Sequence, residues 1–358
     1  MCCILIILQT ILFLRHKNTI QRLLQFKAMK WTGESNMSET KVGKEKLYLG
    51  IDIGGTAVKL GSVTETGQVV ETESYQVDFD GYETPILQTV VESCNKFFYK
   101  YKRKTGEYQA IGVSATGAIN IRTGVVDGSA GHIRNWEKSC IKDVLQSKFG
   151  IPVQVLNDAN AAALGEAWIG AAKGKKDVVV VTIGTGVGGG ILVNGQILLG
   201  VNGFAGELGH MPIQNHGEAC TCGNKGCLER YGSMTALIQR IKASVKAGNM
   251  KSLLPKEING ESIFSLAEEG NAQVLEILDQ WMDDLAAGII GLVHIFNPEQ
   301  VLIGGGVSRQ EKLFVEPLRK KVVDHIMPHF LQNFELRAAK LGNHAGMIGA
   351  VYYCKQQY

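Results

Sequence analysis

From Leu47 onward, apolar and polar positions along the chain fall into a regular order. LYLGIDI (47–53) is a short apolar run that ends in Gly54-Gly55, and AVKLGSV (57–63) follows, a strand–GG–strand hairpin pattern. QVVETESYQV (68–77) continues an antiparallel meander. Residues 84–103 place Ile86, Val90, Val91, Cys94, Phe97, Phe98 and Tyr101 at helical spacing, which predicts a helix. AIGVSATG (110–117) predicts a buried strand, 138–149 a helix, VQVLND (153–158) a strand, and 159–171 a helix rich in small residues. The second half repeats the logic with strands at DVVVVTIG (177–184) and ILVNGQILLG (191–200). Residues 201–232 have little regular pattern, and helices then dominate from Met234 to about Phe296, with a polar break near 247–262. QVLIGG (300–305) predicts another strand with a glycine turn, 309–326 a helix, ELRAAKL (335–341) a strand, and AGMIGAVYYC (345–354) a closing helix.

Three strand-then-glycine units therefore recur, at Asp52-Ile53-Gly54-Gly55-Thr56, Thr182-Ile183-Gly184-Thr185-Gly186 and Ile303-Gly304-Gly305-Gly306. One supersecondary unit repeated in two halves predicts a duplicated α/β domain with a ligand cleft between the copies. Gly184 to Gly189 fits G-x-G-x-x-G after a strand. A dinucleotide fold requires a helix next, and the strand-like GILVNG (190–195) argues against it. The Walker pattern does not occur in the chain. Consecutive backbone N–H groups without side chains can still converge on anionic oxygens. Two glycine hairpins, each with a threonine (Thr56, Thr185), are placed to clamp a polyphosphate from both sides.

Composition narrows the class. At 358 residues, with 45% hydrophobic and 20% charged residues, the chain is a globular protein of about two domains. Its 43 glycines against 7 prolines gather after β-rich runs, where a backbone must turn tightly or approach a ligand. The net charge of +3 is local: residues 1–46 carry eight Lys/Arg against three Asp/Glu, a surplus of +5 that leaves the other 312 residues at −2. A near-neutral body gives no electrostatic case for nucleic acid as the main partner. Cys2 to Leu14 is apolar but only thirteen residues long, short for a bilayer span, and Arg15 and Lys17 follow it rather than precede it. A membrane-surface anchor, an amphipathic helix and a start codon placed too far upstream all fit the segment; MSETKVGKEK from Met37 reads as an ordinary polar N-terminus. The last reading is adopted, so no membrane partner is expected unless that segment is genuine.

Two constellations carry chemistry. Asn157-Asp158 stands where a strand hands over to a helix. Helix capping accounts for such a pair, but a carboxylate at a strand end beside a cleft is also placed to take a proton from a hydroxyl. Phosphoryl transfer asks for such a base, metal-bridged phosphates and alignment. Asp52, at the end of the first strand, is placed to orient Mg²⁺ or its water shell. Further on, His210, Cys220, Cys222 and Cys227 supply one imidazole and three thiolates, the set of a structural Zn²⁺ with no open position. The glycines of C-x-C-G-x-x-G-C let the thiolates turn inward. His216 is the alternative histidine. The remaining cysteines (Cys2, Cys3, Cys94, Cys140, Cys354) are scattered, which is no disulfide framework, and a metal site implies a reducing compartment, the cytoplasm.

Taken together, DIGGT (52–56), NDANAAALGE (157–166), TIGTGVGGG (182–190), ExGH (207–210) followed by CxCGxxGCxE (220–229), and NPEQVLIGGG (297–306) resemble the ROK family of repressors and sugar kinases, from about Leu47 to the C-terminus. The resemblance implies an actin-like, hexokinase-type (ribonuclease H-like) α/β fold of two domains closing on ATP and a hexose. It assigns 47–160 with 343–358 to a smaller domain and 161–342 to a larger one carrying a zinc loop at 206–229, with residues 1–46 as an extension. By position, it makes Asp158 the base on the sugar 6-hydroxyl, and Asn157, Glu207, His210 and Glu229 the sugar contacts, His210 also binding zinc. It assigns Asp52, Gly54, Gly55, Thr56, Lys59, Thr185 and Gly186 to the phosphate and Mg²⁺ side, and Gly304 and Gly305 to the adenosine. The resemblance also implies a homodimer. Ala115-Thr116-Gly117, where many members have Pro-Gly, and His132-Ile133-Arg134-Asn135-Trp136 depart from the family pattern near the expected sugar, so the hexose stays open: glucose first, then N-acetylmannosamine, N-acetylglucosamine, fructose or allose. The family's repressors carry a helix-turn-helix ahead of this body. The 46-residue extension is too short and too apolar for one, which favours a kinase.

Overall fold

In the computed structural model, residues 45–128, 133–248 and 257–358 are described. The apolar segment Cys2–Leu14 and His132 lie outside them, and so do the three readings of that segment. The first sheet holds β1 (Leu47–Ile53), β2 (Ala57–Thr64), β3 (Val69–Gln76), β4 (Tyr108–Ala115) and β7 (Val153–Asn157), in the order β3-β2-β1-β4-β7. Its first three strands are antiparallel, while β4 and β7 run parallel to β1. The second sheet holds β8 (Val178–Ile183), β9 (Val187–Val193), β10 (Gln196–Ile197), β11 (Gln300–Gly304) and β12 (Glu335–Ala338), in the order β10-β9-β8-β11-β12. It shows the same three antiparallel and two parallel strands. The duplication expected from the repeated strand-glycine units is therefore present strand for strand.

Helices complete a layered stack. On the outer face of the first sheet, α1 (Ile86–Tyr101) and α2 (Ile141–Phe149) bury Ile86, Val90, Phe97, Ile141 and Leu145. α1 stops where Lys102 turns left-handed (φ 52°) and its N–H returns to the helix carbonyls. Between the sheets lie α3 (Asp158–Trp168) and α9 (Ala345–Gln357). Met347, Val351 and Cys354 of α9 pack on Tyr48, Val63 and Ala110 of the first sheet. Ala161, Ala163 and Leu164 of α3 pack on Val178, Val180 and Leu192 of the second. Outside the second sheet stand α4 (Leu228–Gly232), α5 (Met234–Lys246), α6 (Gly260–Glu268), α7 (Ala272–Phe296) and α8 (Glu316–Val323). In the core beneath them, Trp281 of α7 stacks on Phe314 of the turn 311–315, ring centroids 4.9 Å apart, an arrangement that adds about 1 kcal/mol beyond burial.

Several boundaries differ from the sequence reading. The strand expected at 191–200 is two, β9 and β10, separated by Asn194 and Gly195, both left-handed. β9 already begins at Val187, so Gly188, Gly189 and Gly190 are strand residues. The helix expected at 309–326 is a 3-10 turn, a π turn and then α8. A short hairpin, β5 (Ala118–Asn120) and β6 (Val125–Gly128), was not foreseen.

Many glycines serve packing rather than turns. A Cβ on Gly190 would stand 2.6 Å from that of Ala163 on α3, and one on Gly349 of α9 would stand 2.6 Å from the Gly165 nitrogen of α3. The small residues of both helices let them cross nearly backbone to backbone while each lies flat on a sheet.

Among the described residues, no helix is long and apolar enough to cross a membrane.

Candidate active site

The carboxyl ends of the parallel strands carry the candidate residues of both sheets, the edge at which α/β folds bind ligands. At the end of β7, Asn157 caps α3: its Oδ1 accepts the N–H groups of Ala159 (3.0 Å) and Asn160 (3.2 Å), and its Nδ2 donates to the Gly117 carbonyl at 3.0 Å. Capping is thus the work of Asn157, which leaves the next side chain, Asp158, directed by the first helical turn. Asp158 accepts the Ala159 N–H at 2.8 Å. Desolvation in the cleft, then the charge of Asp52 and, less, that of Glu207, push its carboxyl up to about 6, against the opposing Ala159 N–H and Thr116 hydroxyl.

A pocket of about 520 Å³ opens in front of this carboxylate, lined by Asn157, Asp158, Glu207, His210 and Glu229 together with Gly117, Ala118, Gly128, Phe204 and the strand glycines 188–189. All five residues assigned to the sugar therefore share one wall. Glu207 opens to solvent at the rim. Desolvation by the surrounding walls still raises its carboxyl above the ordinary range, with His210 opposing and Glu229 adding. Glu229 stands in the first turn of α4, and its Oε2 accepts the Val187 N–H at 3.0 Å. A Cβ on Gly186 would collide with that carboxylate. Gly186 thus leaves room for the Glu229 carboxylate.

The cysteine loop ties these carboxylates together. Ligand atoms of His210, Cys220, Cys222 and Cys227 all lie within 4.8 Å of one another, with His210 Nδ1 3.5 Å from Cys220 Sγ. One imidazole and three thiolates at this separation fit a tetrahedral Zn²⁺. His216 is outside the cluster. Gly223 (φ 90°) and Gly226 (φ 78°) take the left-handed turns that aim the thiolates inward. His210 closes the 3-10 turn that begins after Glu207, and Cys227 precedes α4, so the cluster sets Glu207 and Glu229 relative to each other.

The residues expected on the nucleotide side do not line this pocket. Asp52 accepts from Ser114 Oγ at 2.7 Å and faces Lys59 Nζ at 3.5 Å across the β1–β2 pair. In the turn Gly54-Gly55-Thr56, the Gly54 N–H bonds the Ala57 carbonyl; in Gly184-Thr185-Gly186, the Gly184 N–H bonds the Gly186 carbonyl. The first amide of each turn therefore holds the turn closed. Thr56 and Thr185 are exposed. Gly304 pairs with Thr182 in the sheet, and Gly305 (φ 89°) turns the chain beside Ile183, so the third glycine unit lies next to the second.

Four residues have contacts that the sequence reading did not assign. Ser114 fixes Asp52. Tyr82 donates its hydroxyl to the Gly55 carbonyl at 2.8 Å, and Asn135 Nδ2 donates to the Tyr82 carbonyl at 3.0 Å. Trp136 Nε1 donates to the Thr116 carbonyl at 2.9 Å. No local pattern marks Ser114 or Tyr82, because each acts on a residue far away in sequence. The departing segments 115–117 and 133–136 thus brace the first glycine turn and the loop beside Asp158 and Asn157.

Two like sheets of this order, helices between and outside them, and glycine turns at their carboxyl ends define the actin-like, two-domain class of hexokinases. The ROK family profile matches residues 48–357, and the chain belongs to the ROK family. Glucokinase of Thermotoga maritima is 33% identical over 86% of this chain and 97% of its own length. The xylose repressor of Caldicellulosiruptor bescii is 30% identical over 85% of this chain and 76% of its own. Among solved structures, the ROK family glucokinase of Streptomyces griseus in complex with glucose and AMPPNP has a TM-score of 0.74 at 30% identity, covering 87% of this chain and 99% of that one. A putative N-acetylmannosamine kinase of Listeria monocytogenes has a TM-score of 0.73 at 29% identity, covering 87% and 99%.

Proposed function

We propose that the protein is an ATP-dependent hexose kinase acting on the 6-hydroxyl, with glucose as the first candidate substrate. The observation that carries this reading is Asp158: a carboxylate at about pKa 6 in the wall of a pocket that also presents Asn157, Glu207, His210 and Glu229. At neutral pH such a group is mostly ionised yet close enough to the working pH to accept a proton efficiently. The 6-hydroxyl proton passes to Asp158 as the sugar oxygen attacks the γ-phosphorus, and ADP leaves with the bridging oxygen's electrons. Asn157, Glu207, His210 and Glu229 hold the sugar hydroxyls, and Gly54, Gly55, Thr56, Thr185 and Gly186 receive the phosphates, with Gly304 and Gly305 beside the adenosine. Asp52, kept in place by Ser114 and Lys59, would orient Mg²⁺, which when bound neutralises charge on the phosphates. The Zn²⁺ cluster is structural in this reading. The smaller domain comprises 47–160 with 343–358, and the larger 161–342.

The likeness to the glucokinases supports glucose, while that to the Listeria protein keeps N-acetylmannosamine as the next substrate to try. The likeness to the xylose repressor supports a second reading, a sugar-sensing regulator. ADP release with Mg-ATP and a panel of free hexoses separates them. Hexose-dependent turnover that Asp158→Asn abolishes is expected. Hexose binding without turnover in zinc-loaded wild-type protein would favour the sensor.

A further inference from the structure

β4 stands between β1 and β7 in the first sheet. Its register sets Ser114 opposite Asp52 and Ala115 opposite Asn157, so Thr116 and Asp158, the next residues on β4 and β7, leave the sheet side by side. Ser114 and Thr116 are two positions apart and fall on one face of the strand. Each hydroxyl meets one acid: Ser114 Oγ donates to Asp52 Oδ1 at 2.7 Å, and the Thr116 hydroxyl donates to the Asp158 carboxylate. The backbone around Thr116 is fixed at three points. Its N–H donates to the Ile53 carbonyl at 3.0 Å, and its carbonyl accepts the Nε1–H of buried Trp136 at 2.9 Å. The next carbonyl, of Gly117, accepts Asn157 Nδ2 at 3.0 Å. A β-branched side chain on such a backbone has few rotamers open to it.

Asp158 therefore meets two donors of the protein itself, the Ala159 N–H at 2.8 Å from its own helix and the Thr116 hydroxyl from the neighbouring strand. A carboxylate held only by the adjacent amide can still rotate; a second donor on a separate strand fixes its plane. It offers about four acceptor positions, so two remain for a hydroxyl in the pocket that Asp158 lines. The charges that face Asp158 are those of Asp52, from β1 and itself beside Lys59, and of Glu207 from the second lobe. Both acids disfavour another negative charge, and the Thr116 hydroxyl opposes them by bonding the ionised form. Thr116 also lies in Ala115-Thr116-Gly117, the segment that departs from the family's Pro-Gly. A proline there would have neither the hydroxyl nor an N–H for Ile53, so the family pattern does not supply this contact. We propose that Thr116 is a positioning residue for the base, its hydroxyl holding the Asp158 carboxylate aimed at the sugar hydroxyl that gives up its proton. The effect on turnover rests on the kinase reading; the contact itself does not.

The test compares full-length wild type with Thr116→Val, which loses the hydroxyl and keeps the branched shape, and Thr116→Ser, which keeps the hydroxyl and loses the methyl. With Mg-ATP and the hexose that wild type turns over best, Thr116→Val lowers the plateau kcat about tenfold with the hexose KM within about twofold, because a misaimed base costs rate more than binding. Its acid limb moves to higher pH, since a bond that favours the ionised carboxylate is gone. Thr116→Ser keeps kcat within about threefold and keeps the acid limb of wild type. Thr116→Ala, without either group, follows Thr116→Val and covers the case in which that variant does not fold. An acid limb that stays in place once the hydroxyl is removed, or a Thr116→Ser loss as large as that of Thr116→Val, would assign Thr116 to packing and overturn the proposal. If wild type turns over no hexose, the kinase reading fails, and ¹³C NMR of the Asp158 carboxyl, assigned with Asp158→Asn, still decides the contact. Its titration midpoint rises in Thr116→Val, and a midpoint that stays in place would overturn the contact.

Discussion

The two sheets share strand number, order and direction, yet their active edges are built from different materials. In the first, the edge carries acids and the groups that hold them: Asp52 with Ser114 and Lys59, and Asp158 beside Thr116. In the second, the matching edge carries bare backbone: Gly184-Thr185-Gly186 and Gly304-Gly305-Gly306. The contrast is sharpest where the repeats align. Asp52 stands just before Ile53-Gly54 on β1, and its counterpart before Ile183-Gly184 on β8 is Thr182. In the kinase reading, both copies would offer a glycine turn to phosphate, and only the first would add the proton acceptor.

The sharpest break is at Asp158. Asp158→Asn is expected to lower kcat by about 10³-fold, the scale of a lost general base, with sugar affinity within a few-fold by calorimetry. The same change stabilises the protein. The folded-state pKa of about 6 lies above the ordinary aspartate value. Between pH about 4 and 6, the native state therefore binds more protons than the unfolded one, and stability falls as pH rises. Above pH 6 the ionised group costs about 1–2 kcal/mol after allowance for its partial exposure. Asp158→Asn should raise Tm at pH 7.5 by a few degrees, a gain that fades toward pH 4. A Tm that falls at both pH values would mean that the carboxylate is part of the structure instead.

Asp52 is the next test, since it acts on Asp158 from a distance. Asp52→Asn is expected to lower kcat by about 10–100-fold through loss of the Mg²⁺-orienting charge. It also removes a charge that raises the Asp158 pKa. The acid limb of the kcat profile should therefore move to lower pH, with the residual activity retained further into acid. An acid limb that stays in place would leave desolvation and the Glu207 charge as the causes of the shift and would separate the two acids of the first lobe.

The cysteine loop belongs to the second copy alone and places two of the carboxylates that the pocket uses. Cys222→Ser should lose the metal, measured by atomic emission, and weaken hexose binding by about tenfold, because Glu207 and Glu229 lose their common anchor. Unchanged metal content would show that another ligand set is in use.

How much of this was legible beforehand follows a physical line. Strands closed by glycine turns, the Asp158 position and the four metal ligands could be read because each is a local pattern: period-two alternation, a strand-to-helix handover, a C-x-C-G-x-x-G-C spacing. Ser114 and Tyr82 could not be given their roles, since they act on groups 62 and 27 residues away. The glycines mislead in a related way. Gly190 and Gly349 look like turn residues, but they are where α3 meets a strand and where α9 meets α3. That is a property of packed layers, which only the assembled sheets reveal.

The smallest expected effect tests the division of work from the other side. Thr182 occupies the position of Asp52 in the second copy, and its surroundings are packing. A Cβ on Gly304 would stand 3.1 Å from its Cγ2, and one on Gly188 2.7 Å from its Oγ1. Thr182→Ala removes a methyl and a hydroxyl from a half-buried strand site, which costs about 1 kcal/mol. It should leave kcat and the ATP KM within about threefold of wild type, since in the kinase reading this lobe would meet phosphate through Gly184-Thr185-Gly186 rather than through this strand position. A loss approaching that of Asp52→Asn would mean that both copies use this strand position for chemistry. The edges would then differ in residue type without differing in role, and the asymmetry would have to rest on Asp158 alone, the one acid with no counterpart at the end of β12, where the chain instead turns toward Glu166.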